Sequence, residues 1–87
     1  MFFEIVFSPE AIDHLKEFTA RERRLVLDAI EDNLKHEPSR VTAQRKPLRP
    51  NPLASWELRV GELRVYYQIE MDNRILIVAV GRKTEIR

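Results

Sequence analysis

The segment most informative about the fold is WELRVGELRVYY, residues 56–67. Apolar and polar residues alternate on both sides of Gly61-Glu62, and a Gly-X pair is one of the two-residue turns that join hairpin strands. A turn here places three apolar pairs on one face: Trp56 with Tyr67, Leu58 with Val65, and Val60 with Leu63. The sequence therefore predicts a β-hairpin with one buried face.

The other face of this hairpin places Arg59 opposite Arg64 and Glu57 opposite Tyr66. Like charges directly opposite each other destabilise a sheet. An anion bound between two arginines offsets that repulsion, and phosphate is an anion that the arginine fork binds well. The polar face of the hairpin therefore indicates a phosphate-binding surface.

Charge is segregated along the chain, although 15 Lys and Arg nearly balance 14 Asp and Glu. Residues 1–38 carry 5 basic and 9 acidic side chains, whereas residues 39–87 carry 10 and 5. A basic half of a small protein favours an anionic partner, nucleic acid first of all. The alternative is that the uneven distribution of charge between the two halves has no functional role, and composition alone leaves this open.

Composition also excludes several classes of site. The chain has no cysteine, which excludes a disulfide framework, a thiolate nucleophile and a cysteine-based metal site. Its two histidines show no metal-ligand spacing with Asp or Glu, so we expect neither a metal site nor a cofactor. The start is not a secretory signal, and the longest apolar run, residues 75–80, is too short to span a bilayer. We therefore expect a cytoplasmic protein without membrane contact.

The order of predicted elements is βααβββ. The elements are a strand at 2–7, a helix from Ser8-Pro9-Glu10, a second helix from the Thr19–Glu22 capping box to about His36, and strands at 56–60, 63–70 and 74–81. This order is typical of an α+β fold, with a helical hairpin packed on one face of a small, mostly antiparallel sheet. At 87 residues we expect a single domain, 1–87. The last strand is apolar on both faces, which predicts that it is central.

The segment between the helices and the hairpin is predicted to be irregular. Residues 37–55 are rich in proline and include Arg45, Lys46 and Arg49. A long basic loop in a small domain is usually functional or mobile. We therefore expect this basic segment to be functional or mobile.

The predicted sheet also gathers groups suited to cleaving RNA. Strand alternation places Arg64 and Tyr66 on one side with Arg59, and Lys83 follows the last strand. Cleavage by the 2′-hydroxyl needs a base, cations for the charged phosphorane and an acid for the leaving oxygen. Arginine only stabilises charge, so Tyr66, Lys83 and Glu57 are the candidates for proton transfer.

Four segments together resemble the RelE/ParE toxin superfamily, in particular its RelE-like branch. They are FEIVFSPEA at 3–11, RKPL at 45–48, the hairpin at 56–67 and VGRK at 80–83. The resemblance implies the toxin of a type II toxin–antitoxin system. RelE-like members are mRNA interferases that cut mRNA in the ribosomal A site, whereas ParE-like members inhibit DNA gyrase. It also implies an antitoxin that folds on the toxin, with operator DNA bound only through that complex.

The resemblance also assigns roles to residues. Arg64 matches the arginine beside the scissile phosphate, Arg59 a basic residue of the preceding strand, and Arg82 and Lys83 the basic pair after the last strand. With Tyr66 as a substitute for the proton-transfer residue of the nucleases, the expected catalytic set is Arg64, Lys83, Tyr66 and Arg59, and the expected RNA-binding set is Arg45, Lys46, Arg49 and Arg82. Glu57 stands where the nucleases often carry lysine, and their C-terminal tyrosine or histidine has no counterpart within the four residues after Lys83.

Three functional hypotheses remain open at the level of sequence. The first is a ribosome-dependent, metal-independent endoribonuclease, a hydrolase of the RNA backbone whose action inhibits translation. The second is a ParE-like gyrase inhibitor without nuclease activity. The third is an inactive relative that binds only RNA or its antitoxin.

Overall fold

Two helices and five strands form over residues 3–48 and 54–83, the part of the chain that the computed structural model describes. They are β1 (Glu4–Phe7), α1 (Pro9–Lys16), α2 (Ala20–Leu34), β2 (Arg45–Pro47), β3 (Trp56–Val60), β4 (Leu63–Glu70) and β5 (Arg74–Arg82). The strands lie in the order β1-β5-β4-β3-β2. Only β1 and β5 pair in parallel, so the predicted α+β fold with a mostly antiparallel sheet is confirmed.

The hairpin has the predicted register. Trp56 lies opposite Tyr67, and Arg59 lies opposite Arg64. Gly61 has φ +60°, in the left-handed region that favours glycine, and this fits the first turn position of a Gly-X hairpin. The next hairpin turns at Asp72 and Asn73, with φ of 61° and 56°, because short polar side chains tolerate that conformation.

Gly61→Ala is expected to destabilise the domain by about 1–2 kcal/mol, the cost of a Cβ in the left-handed region. No atom lies within 4 Å of the added Cβ, so the backbone conformation alone sets this cost. Urea unfolding of this variant beside Glu62→Ala, in the same turn but without a positive φ, measures it. Equal losses in the two variants would contradict the prediction.

Both helices begin where their capping residues predict. The Ser8 Oγ accepts from the Ala11 N–H at 3.0 Å, and Thr19 and Glu22 form a complete capping box. The second helix ends at Leu34, slightly before the predicted end near His36. The capping side chains therefore predict where each helix begins more accurately than Pro38 predicts where the second helix ends.

Two expectations about the sheet are wrong. Residues 45–47, predicted to be irregular, form β2 and pair with β3, so the sheet has five strands rather than four and β3 is not an edge. The last strand, β5, is an inner strand but not the central one, because the extra strand makes β4 the middle of the sheet. A strand of three residues is too short to show a recognisable alternation of apolar and polar residues in the sequence.

The core lies between the helices and one face of the sheet. The buried side chains of this core include Val26, Ile30 and Leu34 from α2, Ala11 and Leu15 from α1, and Leu58, Val65, Tyr67, Ile75 and Ile77 from the sheet. Tyr67 is fully buried, and its hydroxyl donates to the Pro38 carbonyl at 2.7 Å. By strand alternation, the side chains between these sheet residues point to the opposite face, which the helices do not cover.

Candidate functional site

A cavity of about 290 Å³ opens on the sheet face away from the helices. Its lining residues are Lys46, Glu57, Arg59, Arg64, Tyr66 and Lys83, which we call the basic cavity. Four of the six are cationic and one is acidic. The structure thus brings all four predicted catalytic residues into one cavity, together with the one predicted RNA-binding residue on β2 that faces it.

The two facing arginines differ in how they are held. Arg64 is 5% exposed, and its Nη1 donates to the carbonyls of Gly61 at 2.7 Å and Leu63 at 2.8 Å. Within the described part of the chain these are its hydrogen-bond partners, so its remaining N–H donors are available to an anion in the cavity. Arg59 is exposed and forms no ion pair with any described residue. The pair therefore combines one fixed and one movable guanidinium.

A tyrosine and a carboxylate lie side by side at the centre of the basic cavity. Glu57 and Tyr66 are cross-strand partners, and both are more than nine-tenths buried. The Glu57 Oε2 lies 3.7 Å from the Lys46 Nζ of the neighbouring strand. Burial raises the pKa of Tyr66, and the negative charge of Glu57 raises it further, while Arg64 opposes the shift. Tyr66 is therefore a neutral phenol at physiological pH, able to donate a proton.

The stability of the domain is expected to fall as the pH rises above about 10. Burial raises the pKa of Tyr66 and of Tyr67, so the unfolded chain releases these protons at a lower pH than the native protein does. The native state then binds more protons, and the free energy of unfolding decreases with pH. Urea unfolding between about pH 9 and pH 11 measures the slope.

The matched control for this pH dependence is the double variant Tyr66→Phe, Tyr67→Phe. It lacks both titrating hydroxyls, so its free energy of unfolding should fall less steeply over the same range. Parallel slopes for the two proteins would show that other groups govern alkaline stability.

Lys83 reaches the basic cavity from the end of β5. Its backbone N–H donates to the Glu62 carbonyl at 3.0 Å, which continues the β4–β5 pairing beyond Arg82. Gly81, two residues earlier, is the cross-strand partner of Arg64. Because side chains alternate along a strand, Lys83 lies on the face of Arg64, whereas Arg82 lies on the helix side.

Arg82 was predicted to bind RNA, but the structure places it on the face opposite the basic cavity. Its Nη2 donates to the Glu22 Oε2 at 2.7 Å, and its guanidinium carbon lies 5.1 Å from the centre of the Phe18 ring. The strand continues through Arg82, one residue further than predicted, and this residue therefore follows the alternation of β5 towards the helices.

Arg45 was also predicted to bind RNA, and the structure buries it to 8% exposure. Its Nη1 donates to the carbonyl of Asn33 at 2.7 Å and to that of Glu37. These carbonyls lie at and just beyond the end of α2, where a cation is favourable. These hydrogen bonds hold Arg45 against the end of α2 and give it a structural role. Arg49, the remaining predicted RNA-binding residue, lies outside the described residues.

The family model for the ParE toxin of type II toxin–antitoxin systems, parDE, matches residues 5–87. The chain belongs to this family. This ParE-family toxin has no match among curated proteins.

Solved structures of toxins share the fold of this ParE-family toxin. The toxin–antitoxin complex RelBE2 from Mycobacterium tuberculosis gives a TM-score of 0.81 at 24% identity, covering 95% of this chain and 100% of that one. The archaeal RelE–RelB complex from Pyrococcus horikoshii gives a TM-score of 0.75 at 20% identity, covering 99% of this chain and 100% of that one. The YoeB/ParE toxin from Agrobacterium tumefaciens gives a TM-score of 0.72 at 18% identity, covering 92% of this chain and 98% of that one. The predicted superfamily is confirmed.

Sequence reasoning named every residue that lines the basic cavity of this ParE-family toxin, but it missed one contact. The ion pair of Lys46 with Glu57 depends on β2, which the sequence did not predict. Among residues 3–48 and 54–83, no group of three or more His, Asp or Glu side chains is placed to hold a metal ion. Neither of the two described helices has the length and apolar character needed to cross a membrane.

Proposed function

We propose that this ParE-family toxin cleaves mRNA on the ribosome by using protein side chains in place of a metal ion. The observation that carries the proposal is the basic cavity, where four cations surround a neutral phenol and one carboxylate. A phosphodiester gains negative charge as it is attacked, and cations fixed before the reaction stabilise that charge without reorganisation.

The proposed step is attack of the 2′-hydroxyl oxygen on the adjacent phosphorus. The O2′–P bond forms and the P–O5′ bond breaks, which leaves a 2′,3′-cyclic phosphate and a 5′-hydroxyl. Glu57 accepts the 2′ proton, and Tyr66 donates its phenolic proton to the leaving 5′ oxygen. The phenol of Tyr66 is protonated at neutral pH, so it can serve as the acid and not as the base.

The cations have a separate role in this proposal. Arg64 and Arg59 bind the non-bridging phosphate oxygens from adjacent strands, and Lys83 binds them from the end of β5. Lys46 holds the carboxylate of Glu57 beside Tyr66. Arginines are suited to this task because they stay charged at any physiological pH.

The proposed partners are the ribosome with its mRNA and a cognate antitoxin protein. Solved complexes of the M. tuberculosis and P. horikoshii proteins, which share this fold, contain a toxin with its antitoxin. We propose that operator DNA is bound only through the antitoxin complex, and that the protein acts in the cytoplasm.

The test is an in vitro translation reaction with the purified toxin, in which primer extension maps the 5′ ends of the mRNA. Breaks within codons that require ribosomes would support the proposal, and a ribosome-free reaction is the control. Intact mRNA in the presence of a protein that arrests growth would contradict it.

A second candidate function is inhibition of DNA gyrase without RNA cleavage. The match of the ParE family model over residues 5–87 favours it. A supercoiling assay with purified gyrase separates the two candidates, because a nuclease leaves supercoiling unchanged. A protein that neither cuts mRNA, nor inhibits gyrase, nor arrests growth would be an inactive relative.

A further inference from the structure

The end of β5 is held to the helices by an ion pair that the proposed reaction does not use. The Arg82 Nη2 lies 2.7 Å from the Glu22 Oε2, and both side chains are partly shielded from solvent. The Arg82 guanidinium also lies over the Phe18 ring, 5.1 Å from its centre. A cation that is both paired and stacked on an aromatic ring loses much of its freedom to move.

Glu22 is itself fixed before it meets Arg82. Its Oε1 accepts from the Thr19 N–H at 3.0 Å within the capping box, which leaves Oε2 for the arginine. The hydrogen bond from Thr19 lowers the pKa of Glu22, and Arg82 lowers it further, so the side chain is a carboxylate at neutral pH. The first turn of α2 therefore presents a stationary anion to the strand end.

Two more contacts tie the same stretch of β5 to the helical segment. β1 ends at Phe7, and beyond it the Ser8 Oγ donates to the Val78 carbonyl at 2.8 Å. The His14 Nδ1 accepts from the Val80 N–H at 3.2 Å. Side chains of the helical segment thus replace β1 as the partner of β5, and Arg82 is the last of these contacts along the strand.

Lys83 follows Arg82 directly and lies on the opposite face, where it lines the basic cavity. We propose that Arg82 is a positioning residue, whose ion pair with Glu22 fixes the end of β5 so that Lys83 reaches a phosphate in the basic cavity. This inference rests on the proposed function, since it assigns Arg82 a role in RNA cleavage without contact with RNA.

The test uses Glu22→Gln and Arg82→Gln in the full chain, with Glu31→Gln as the matched control. Glutamine at position 22 still completes the capping box, so the start of α2 is preserved. Glu31 also lies on α2, where it pairs with Lys35 one turn later. Hydrogen exchange at the Lys83 amide and single-turnover cleavage on programmed ribosomes are measured for each protein.

We expect both variants at the ion pair to speed exchange of the Lys83 amide by about tenfold, since local opening becomes easier. The cleavage rate at saturating toxin should fall about ten- to a hundredfold, because a displaced catalytic cation loses alignment. The toxin concentration for half-maximal rate should change little. Glu31→Gln should match the wild-type protein in all three measurements.

Direct contact of Arg82 with RNA predicts a different pattern. Glu22→Gln would then leave cleavage intact, while Arg82→Gln would weaken binding and reduce the slope of log affinity against log salt by about one. That result would overturn the inference. If the wild-type toxin cuts no mRNA, the proposed function fails, and exchange at Lys83 alone decides the positioning role: unchanged exchange in both variants would overturn it.

Discussion

Arg64→Ala is expected to abolish RNA cleavage and growth arrest while the domain stays folded. Arg64 is the most firmly held cation of the basic cavity, because its Nη1 donates to two carbonyls of the adjacent turn and strand. Removing one preorganised donor from a site of this kind costs about a hundred- to a thousandfold in rate. Induced expression followed by growth, together with primer extension on mRNA, measures the loss.

Arg74→Ala is the matched control for this prediction. Arg74 lies at the other end of β5, where it pairs with Glu4 at the surface, and it is remote from the basic cavity. It should retain full toxicity. Because Gly61 is exposed, water can satisfy the carbonyl that Arg64→Ala releases there. The buried Leu63 carbonyl also loses this donor, so urea unfolding should show a cooperative transition at a lower midpoint. Undiminished toxicity in a folded Arg64→Ala protein would remove this residue from the mechanism.

Arg45→Ala is expected to have the largest effect on stability, a loss of about 3 kcal/mol, because two charge-assisted hydrogen bonds of a buried guanidinium disappear. The Nη1 of Arg45 joins two carbonyls near the end of α2, at Asn33 and Glu37, to the edge strand β2. In a domain of this size that loss lowers Tm by roughly 15 °C. Thermal unfolding measures the shift.

Arg40→Ala is the control, since Arg40 is an exposed arginine of the same segment that pairs with the nearby Glu37. An exposed pair of this kind contributes little, so the melting temperature should hardly change. If Arg45→Ala instead melted like the wild-type protein and lost RNA binding, Arg45 would be an RNA contact and not a structural residue.

The basic cavity shows how strand alternation assigns neighbouring residues to different tasks. Within β2, Arg45 pairs with Leu58 on the helix side and is buried, whereas Lys46 pairs with Glu57 and lines the cavity. The same division separates Arg82 from Lys83 at the end of β5. In each pair of adjacent cations, the first therefore packs on the helix side and the second lines the basic cavity.

Elements with local causes can be predicted from the sequence alone. The Gly61 turn and the alternation around it set the hairpin register, and with it the placement of Arg59 against Arg64 and of Glu57 against Tyr66. Capping side chains set both helix starts. In each case the deciding contacts join residues a few positions apart, or pairs that the turn itself brings together, so pattern and spacing contain the information.

The face on which each basic residue at a strand end lies depends on long-range contacts of the folded chain. The β2 strand is too short to show a period, so its pairing with β3 depends on contact with the hairpin. Arg82 meets Glu22 across 60 residues, and Ser8 meets Val78 across 70. Such contacts form only when the helices pack on the sheet. The side chains that meet there are far apart in the sequence, so no local pattern predicts which of them will be buried or paired.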